Sequence, residues 1–141
     1  MSDHNLKFKE IKQNKFLTMS FAKQQKLLWN EWRGSILSEQ LRENIFFACE
    51  FILANDVECM LADYVKMHAP SLSDQVWIAT HSAELLQHRK LVRVANLLAQ
   101  DVFQQKAIET IHEKASTVPL PCETREFLSM QEAMEWLLKE K

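Results

Sequence analysis

Residues 58–77 read ECMLADYVKMHAPSLSDQVW, and the fold turns on how they are read. Residues 58–65 are a nearly continuous apolar run, the pattern of a strand covered on both faces. Pro70 and Ser71 follow, with Asp74 three residues after the serine. That spacing predicts a capped helix start, with the Ser71 hydroxyl bonded to the N–H of Asp74 and Asp74 reaching back to the N–H of Ser71. A buried strand passing directly into a helix is the repeating unit of an α/β protein with parallel strands.

The flanking sequence extends this unit in both directions. Upstream, FLTMSFA (16–22) alternates, with Leu17, Met19 and Phe21 on one face. LLWNEWR (27–33) follows after the polar KQQK, which predicts an antiparallel hairpin without a tight glycine turn. Gly34 closes the second strand, and Ser38 is the expected N-cap of a helix whose stripe is Leu41, Ile45, Ala48, Cys49, Ile52 and Leu53. Downstream, the helix beginning near Ser71 runs to about His88, and LVRVANLLA (91–99) reads as a further strand. Asp101 and Gln104 have capping-box spacing ahead of a helix with Phe103, Ala107, Ile108, Ile111 and Ala115 on its apolar side. A proline-marked loop then leads to a short strand at 123–129. Ser129 and Glu132 cap a final helix that buries Ala133, Trp136 and Leu137.

The expected architecture is α/β: a mixed, mostly parallel sheet of about five strands with an N-terminal antiparallel edge hairpin, and about four helices. Residues 1–15 read as a loosely attached lead-in and residues 16–141 as one domain.

Composition narrows the function. The 141 residues are 47% hydrophobic, enough for a real core, and 17 basic against 19 acidic residues give no bulk attraction to nucleic acid. No apolar run approaches a membrane span. The polar start MSDHNLKFKEIKQNK has no apolar centre of a secretion signal, so a cytoplasmic protein is expected. Gly34 is the single glycine, which argues against glycine-rich nucleotide sites. Cys49, Cys59 and Cys122 lie far apart in apolar contexts and read as buried thiols. His81, Glu84 and His88 share a helix face, but residues seven apart are separated by about 10 Å along the axis, too far to hold one ion. Trp29 and Trp32 point to opposite faces of a strand, so at most one is free. No catalytic or metal motif is present, and no cofactor is expected.

Several phrases resemble the STAS-like proteins, the fold group of the sporulation anti-sigma factor antagonist and of small bacterial relatives. They are LLWNEWRGSILSEQLRE (27–43), CMLADYVKM (59–67), RVANLLAQDVFQQKAIE (93–109) and REFLSMQEAMEWL (125–137). The last is similar to an F-x-x-x-x-E-A-x-x-W-L ending, here Phe127, Glu132, Ala133, Trp136 and Leu137. The resemblance implies a non-enzymatic regulatory module that binds another protein, such as a kinase-type anti-sigma factor, through the start of the second helix. Antagonists of that kind carry a phosphorylated serine in an Asp-Ser-Ser-Gly phrase there. The matching region is HAPSLSDQ, with Ser73 the nearest equivalent and Ser71 the second. It lacks the glycine and places Asp74 beside the serine.

Three further readings are open. Asp63 and Asp101, at expected strand ends, would share an edge with His68 and Ser73 and could bind a metal or support acid–base chemistry. Phe46, Phe47, Phe51 and Phe103 could line an apolar pocket for a lipid, as the broad resemblance to CRAL-TRIO domains implies. Self-association as a homodimer could use the edge hairpin or the helix faces.

Overall fold

In the computed structural model, residues 6–85, 90–99, 101–115 and 122–139 are described. Their strands form one sheet in chain order: β1 (Lys9–Gln13), β2 (Leu17–Ala22), β3 (Leu27–Gly34), β4 (Cys59–Met67), β5 (Arg93–Leu97) and β6 (Glu123–Phe127). The helices are α1 (Ser38–Ala54), α2 (Leu72–Leu85), α3 (Val102–Ala115) and α4 (Met130–Leu137). β1, β2 and β3 pair antiparallel, and β3 to β6 pair in parallel. The expected mixed sheet is present with one strand more than the sequence suggested, because β1 lies in the segment read as a lead-in. Its KEIKQ offers a single apolar side chain, Ile11, so alternation alone did not mark it.

The topology fixes the layers. Each parallel crossover steps one strand in the same direction, and such crossovers are right-handed, so α1, α2 and α3 fall on one face of the sheet. On that face Leu17, Met19, Leu28 and Trp32 pack against Leu41, Ile45, Ala48, Cys49 and Ile52 of α1. After β6 the chain folds back, and α4 packs Ala133, Trp136 and Leu137 onto Leu27, Leu61, Ala95 and Leu97 on the other face.

Local chemistry departs from the sequence reading in identifiable ways. Leu53 is 39% exposed and does not join the inner stripe of α1. Asn44 is buried instead: it accepts from Asn14 Nδ2 at 2.9 Å and donates to the Gln40 carbonyl at 2.8 Å, tying the β1–β2 turn to α1. Ser38 is not the N-cap of α1. Leu37 holds that position with no side-chain bond, and Ser38 is the first helical residue. Ser129 does cap α4, accepting from the Glu132 N–H at 3.3 Å. Without glycine, the β2–β3 turn places Lys26 at φ 55°, a left-handed conformation uncommon for a side-chain-bearing residue. The Lys26 carbonyl then accepts the N–H groups of Glu58 and Cys59, joining the hairpin to β4.

Candidate functional site

β3 and β4 are parallel neighbours, so Gly34 and Met67 end side by side at one edge of the sheet. α1 and α2 both begin just beyond that edge. The two connecting loops are joined by Ser35 Oγ and His68 Nδ1, 2.8 Å apart, and by the His68 N–H donating to the Gly34 carbonyl at 3.0 Å.

The helix heads are joined more firmly. Ser71 caps α2 as its sequence implies, its hydroxyl accepting the Asp74 N–H at 3.2 Å. Asp74 does not reach back to Ser71. Its carboxylate is buried, 3% exposed, and is directed across to α1. There it accepts from Ser38 Oγ at 2.7 Å and from Arg42 Nη2 at 3.5 Å. The N–H-rich starts of two helices therefore surround one carboxylate, a favourable place for negative charge. Arg42 also lies 5.2 Å over the Trp77 ring, and the His81 ring stacks on that same Trp77, centroids 4.6 Å apart.

Around this buried link the surface is apolar. Leu37 and Leu72 are 69% and 66% exposed, and Val76, one turn after Leu72, is 41% exposed. Ser73, Ser71 and His68 are exposed on the same edge. Of the two serines, Ser71 is engaged in capping and Ser73 sits in the first turn of α2.

Asp63 belongs elsewhere. β4 runs on to Met67, so Asp63 stands within the strand and not at its end, opposite Glu31 and Leu97. It is on the α4 side of the sheet, where it accepts from Trp29 Nε1 at 3.2 Å and from the Val65 N–H at 3.1 Å. The second bond falls where the β3–β4 register shifts, so the carboxylate satisfies backbone at the irregularity. Burial, the largest influence, pushes its carboxyl above the ordinary aspartate value, and the Val65 and Trp29 bonds offset part of this. Asp101 is exposed ahead of α3, which packs with α2 on the opposite side of the sheet. Asp63 and Asp101 thus do not converge with His68 on one edge. Among the described residues no group of three or more His, Cys, Asp or Glu side chains could hold a metal ion.

The remaining candidates separate similarly. Phe46 and Phe47 are exposed on the outer side of α1, and Phe51 packs edge-on against Phe21 at 5.2 Å, so these rings do not line a space between helix and sheet. The Phe103 and Glu84 side chains, His88 and the Gln104 half of the α3 capping box lie outside the described residues. Trp32 is buried on the α1 side, while Trp29 is half-buried on the other side against Phe8. Cys49 and Cys59 are buried, but Cys122 is only partly so.

Sequence reading missed Ser38, Arg42, Leu37 and Leu72. No local signal set Ser38 apart from a capping serine, since leucine, the residue before it, is the poorer N-cap. Leu72 and Val76 share one side of α2 at i and i+4, but the buried Ala79, seven residues after Leu72, falls on that side too, so spacing alone did not mark them as exposed.

No helix among the described residues is long and apolar enough to cross a membrane. No family model matches the sequence, and no curated protein matches it significantly. The structure is similar to that of an uncharacterised protein of the DUF3478 family with a SpoIIAA-like fold from Shewanella loihica PV-4. The two share 17% identity at a TM-score of 0.56, over 94% of this chain and 93% of the other. At that identity the likeness is one of architecture, and the chain has the SpoIIAA-like, or STAS-like, α/β fold.

Proposed function

We propose that the protein is a non-enzymatic regulatory module that binds another protein at the edge where α1 and α2 begin. One observation carries this reading: Leu37 and Leu72, at 69% and 66% exposure, stand on two helix heads locked together by the Ser38–Asp74 hydrogen bond. Exposed apolar side chains on a rigid frame lose little freedom on binding, which favours recognition. Ser73, beside them, is placed where a phosphate would meet the free N–H groups of α2 and change the surface without melting the helix. A kinase-type anti-sigma factor is the partner class that the STAS-like resemblance implies.

The test is capture of partners from the native host by the tagged full chain, by Leu37→Ser/Leu72→Ser and by Ser73→Asp. A specific partner lost with the leucine pair supports the reading. A partner set unchanged by both variants refutes it. Mass spectrometry of the native protein separately decides whether Ser73 carries phosphate.

A further inference from the structure

The outer side of α1 is unusual for a surface helix. Its inner stripe is buried on the sheet, so the opposite side should be polar. Instead Phe46, Phe47 and Leu53 are 48%, 37% and 39% exposed. Glu43, Phe46, Glu50 and Leu53 follow one another at alternating steps of three and four, which aligns them in a single ridge along the helix. Beside the ridge, between α1 and α2, runs a groove of about 370 Å³ lined by Arg42, Glu43, Phe46, Phe47, Glu50 and Trp77.

Its charges are unbalanced. The Arg42 guanidinium is matched by Asp74 and lies over Trp77. Lys12 of β1 reaches the Phe47 ring, 4.3 Å from its centroid. Glu39, Glu43 and Glu50 are exposed and take part in no ion pair among the described residues. Apolar anchors are therefore bordered by uncompensated carboxylates.

We infer that this face docks a basic amphipathic helix of a partner protein. Apolar side chains of that helix at i, i+3 or i+4, and i+7 seat on Phe46, Phe47, Leu53 and Trp77, while flanking Lys or Arg pair with Glu43 and Glu50. A second copy of this chain fits poorly. Antiparallel pairing of two α1 helices centred on Phe46 and Phe47 sets Glu43 of one copy against Glu50 of the other, a like-charge contact. The face is separate from the Leu37–Leu72 edge, so either surface can fail alone.

The test uses the full chain and a labelled peptide about 18 residues long, enough for a helix, with leucines on one stripe and lysines beside it. A matched peptide carries glutamate for lysine. Fluorescence anisotropy is expected to show the lysine peptide binding more tightly, and more weakly as salt rises. Phe46→Ser/Leu53→Ser should weaken it by about tenfold or more. Glu43→Lys/Glu50→Lys should reverse the preference toward the glutamate peptide, and Leu72→Ser should leave binding unchanged. All substituted positions are exposed, and circular dichroism checks that the fold is kept. Equal binding of the two peptides, indifference to the α1 variants, or a native dimer that Phe46→Ser/Leu53→Ser converts to monomer overturns the proposal.

Discussion

Ser38 opens α1 and donates a 2.7 Å hydrogen bond to Asp74 in the first turn of α2, 36 residues further along the chain. This bond sets the distance between the two helix heads, and with it the spacing of Leu37 and Leu72. A hydrogen bond to a buried carboxylate contributes about 1.5–3 kcal/mol. Ser38→Ala should lower unfolding free energy by about that amount, measured by urea denaturation. Asp74→Ala combined with Ser38→Ala should cost clearly less than the sum of the single changes, because one bond is removed by both. Strict additivity would mean that the two residues are not coupled.

Asp63 gives the protein a distinct pH response. Its carboxyl is raised above the ordinary value of 3.8, chiefly by burial. The folded state therefore binds this proton more tightly than the unfolded chain. The contribution of Asp63 is most favourable below the unfolded value and is lost as pH rises through the folded one. Asp63→Asn cannot titrate. Wild-type stability relative to Asp63→Asn should fall from pH 3.5 toward pH 7, on denaturation curves taken across that range. A rise over the same interval would show that the Val65 and Trp29 bonds outweigh burial.

β1 covers the edge of β2 and carries Phe8 into place against Trp29, an edge-on pair with centroids 5.4 Å apart. Removing residues 1–13 exposes that edge and Trp29. Full burial of a phenylalanine contributes about 1.5–3 kcal/mol, of which the half-buried Phe8 supplies a part; its ring pair adds about 0.5–1.5 kcal/mol, and the β1–β2 ladder is lost as well. The truncated chain should lose at least about 2 kcal/mol and self-associate through β2, an unprotected edge strand. Size-exclusion chromatography and thermal melting read both effects. A monomer of unchanged melting temperature would show β1 to be dispensable.

The thiols should differ in reactivity. Burial, with the Glu50 charge adding to it, pushes the Cys49 thiol up to about 12. Cys59 is buried and directs its S–H to the Leu137 carbonyl at 3.4 Å. A thiol probe at pH 8 should modify Cys122 in the native protein and all three cysteines in denaturant. Rapid native labelling of Cys49 would indicate that α1 opens readily.

Local sequence specified the parts whose partners are near in the chain. Ser71 and Ser129 lie three residues from the N–H groups that they cap, and both form those bonds. The apolar run 59–62 could be satisfied only by cover on both faces, and it is buried or half-buried throughout. Ala133, Trp136 and Leu137 share one side of α4 by helical spacing, and all are buried. Ser38 and Asp74 were misread because each has a plausible local capping role, and only the distant partner outcompetes it. Asp63 looked like a strand-end acid because the apolar run was read as ending at Val65, yet pairing with Arg33 and Gly34 carries β4 to Met67.

By itself, then, the sequence determined the alternation of strands and helices, and so the mixed, mostly parallel sheet joined by crossover helices. Periodicity and capping act over a few residues and are written directly in the chain. Tertiary structure decided the rest: that β1 completes the sheet, that Asp74 bridges to Ser38 and Arg42, and that Phe46 and Phe47 face outward. Those outcomes depend on which surfaces meet once the crossovers wind in one direction, and no local pattern encodes which distant donor reaches a buried carboxylate first.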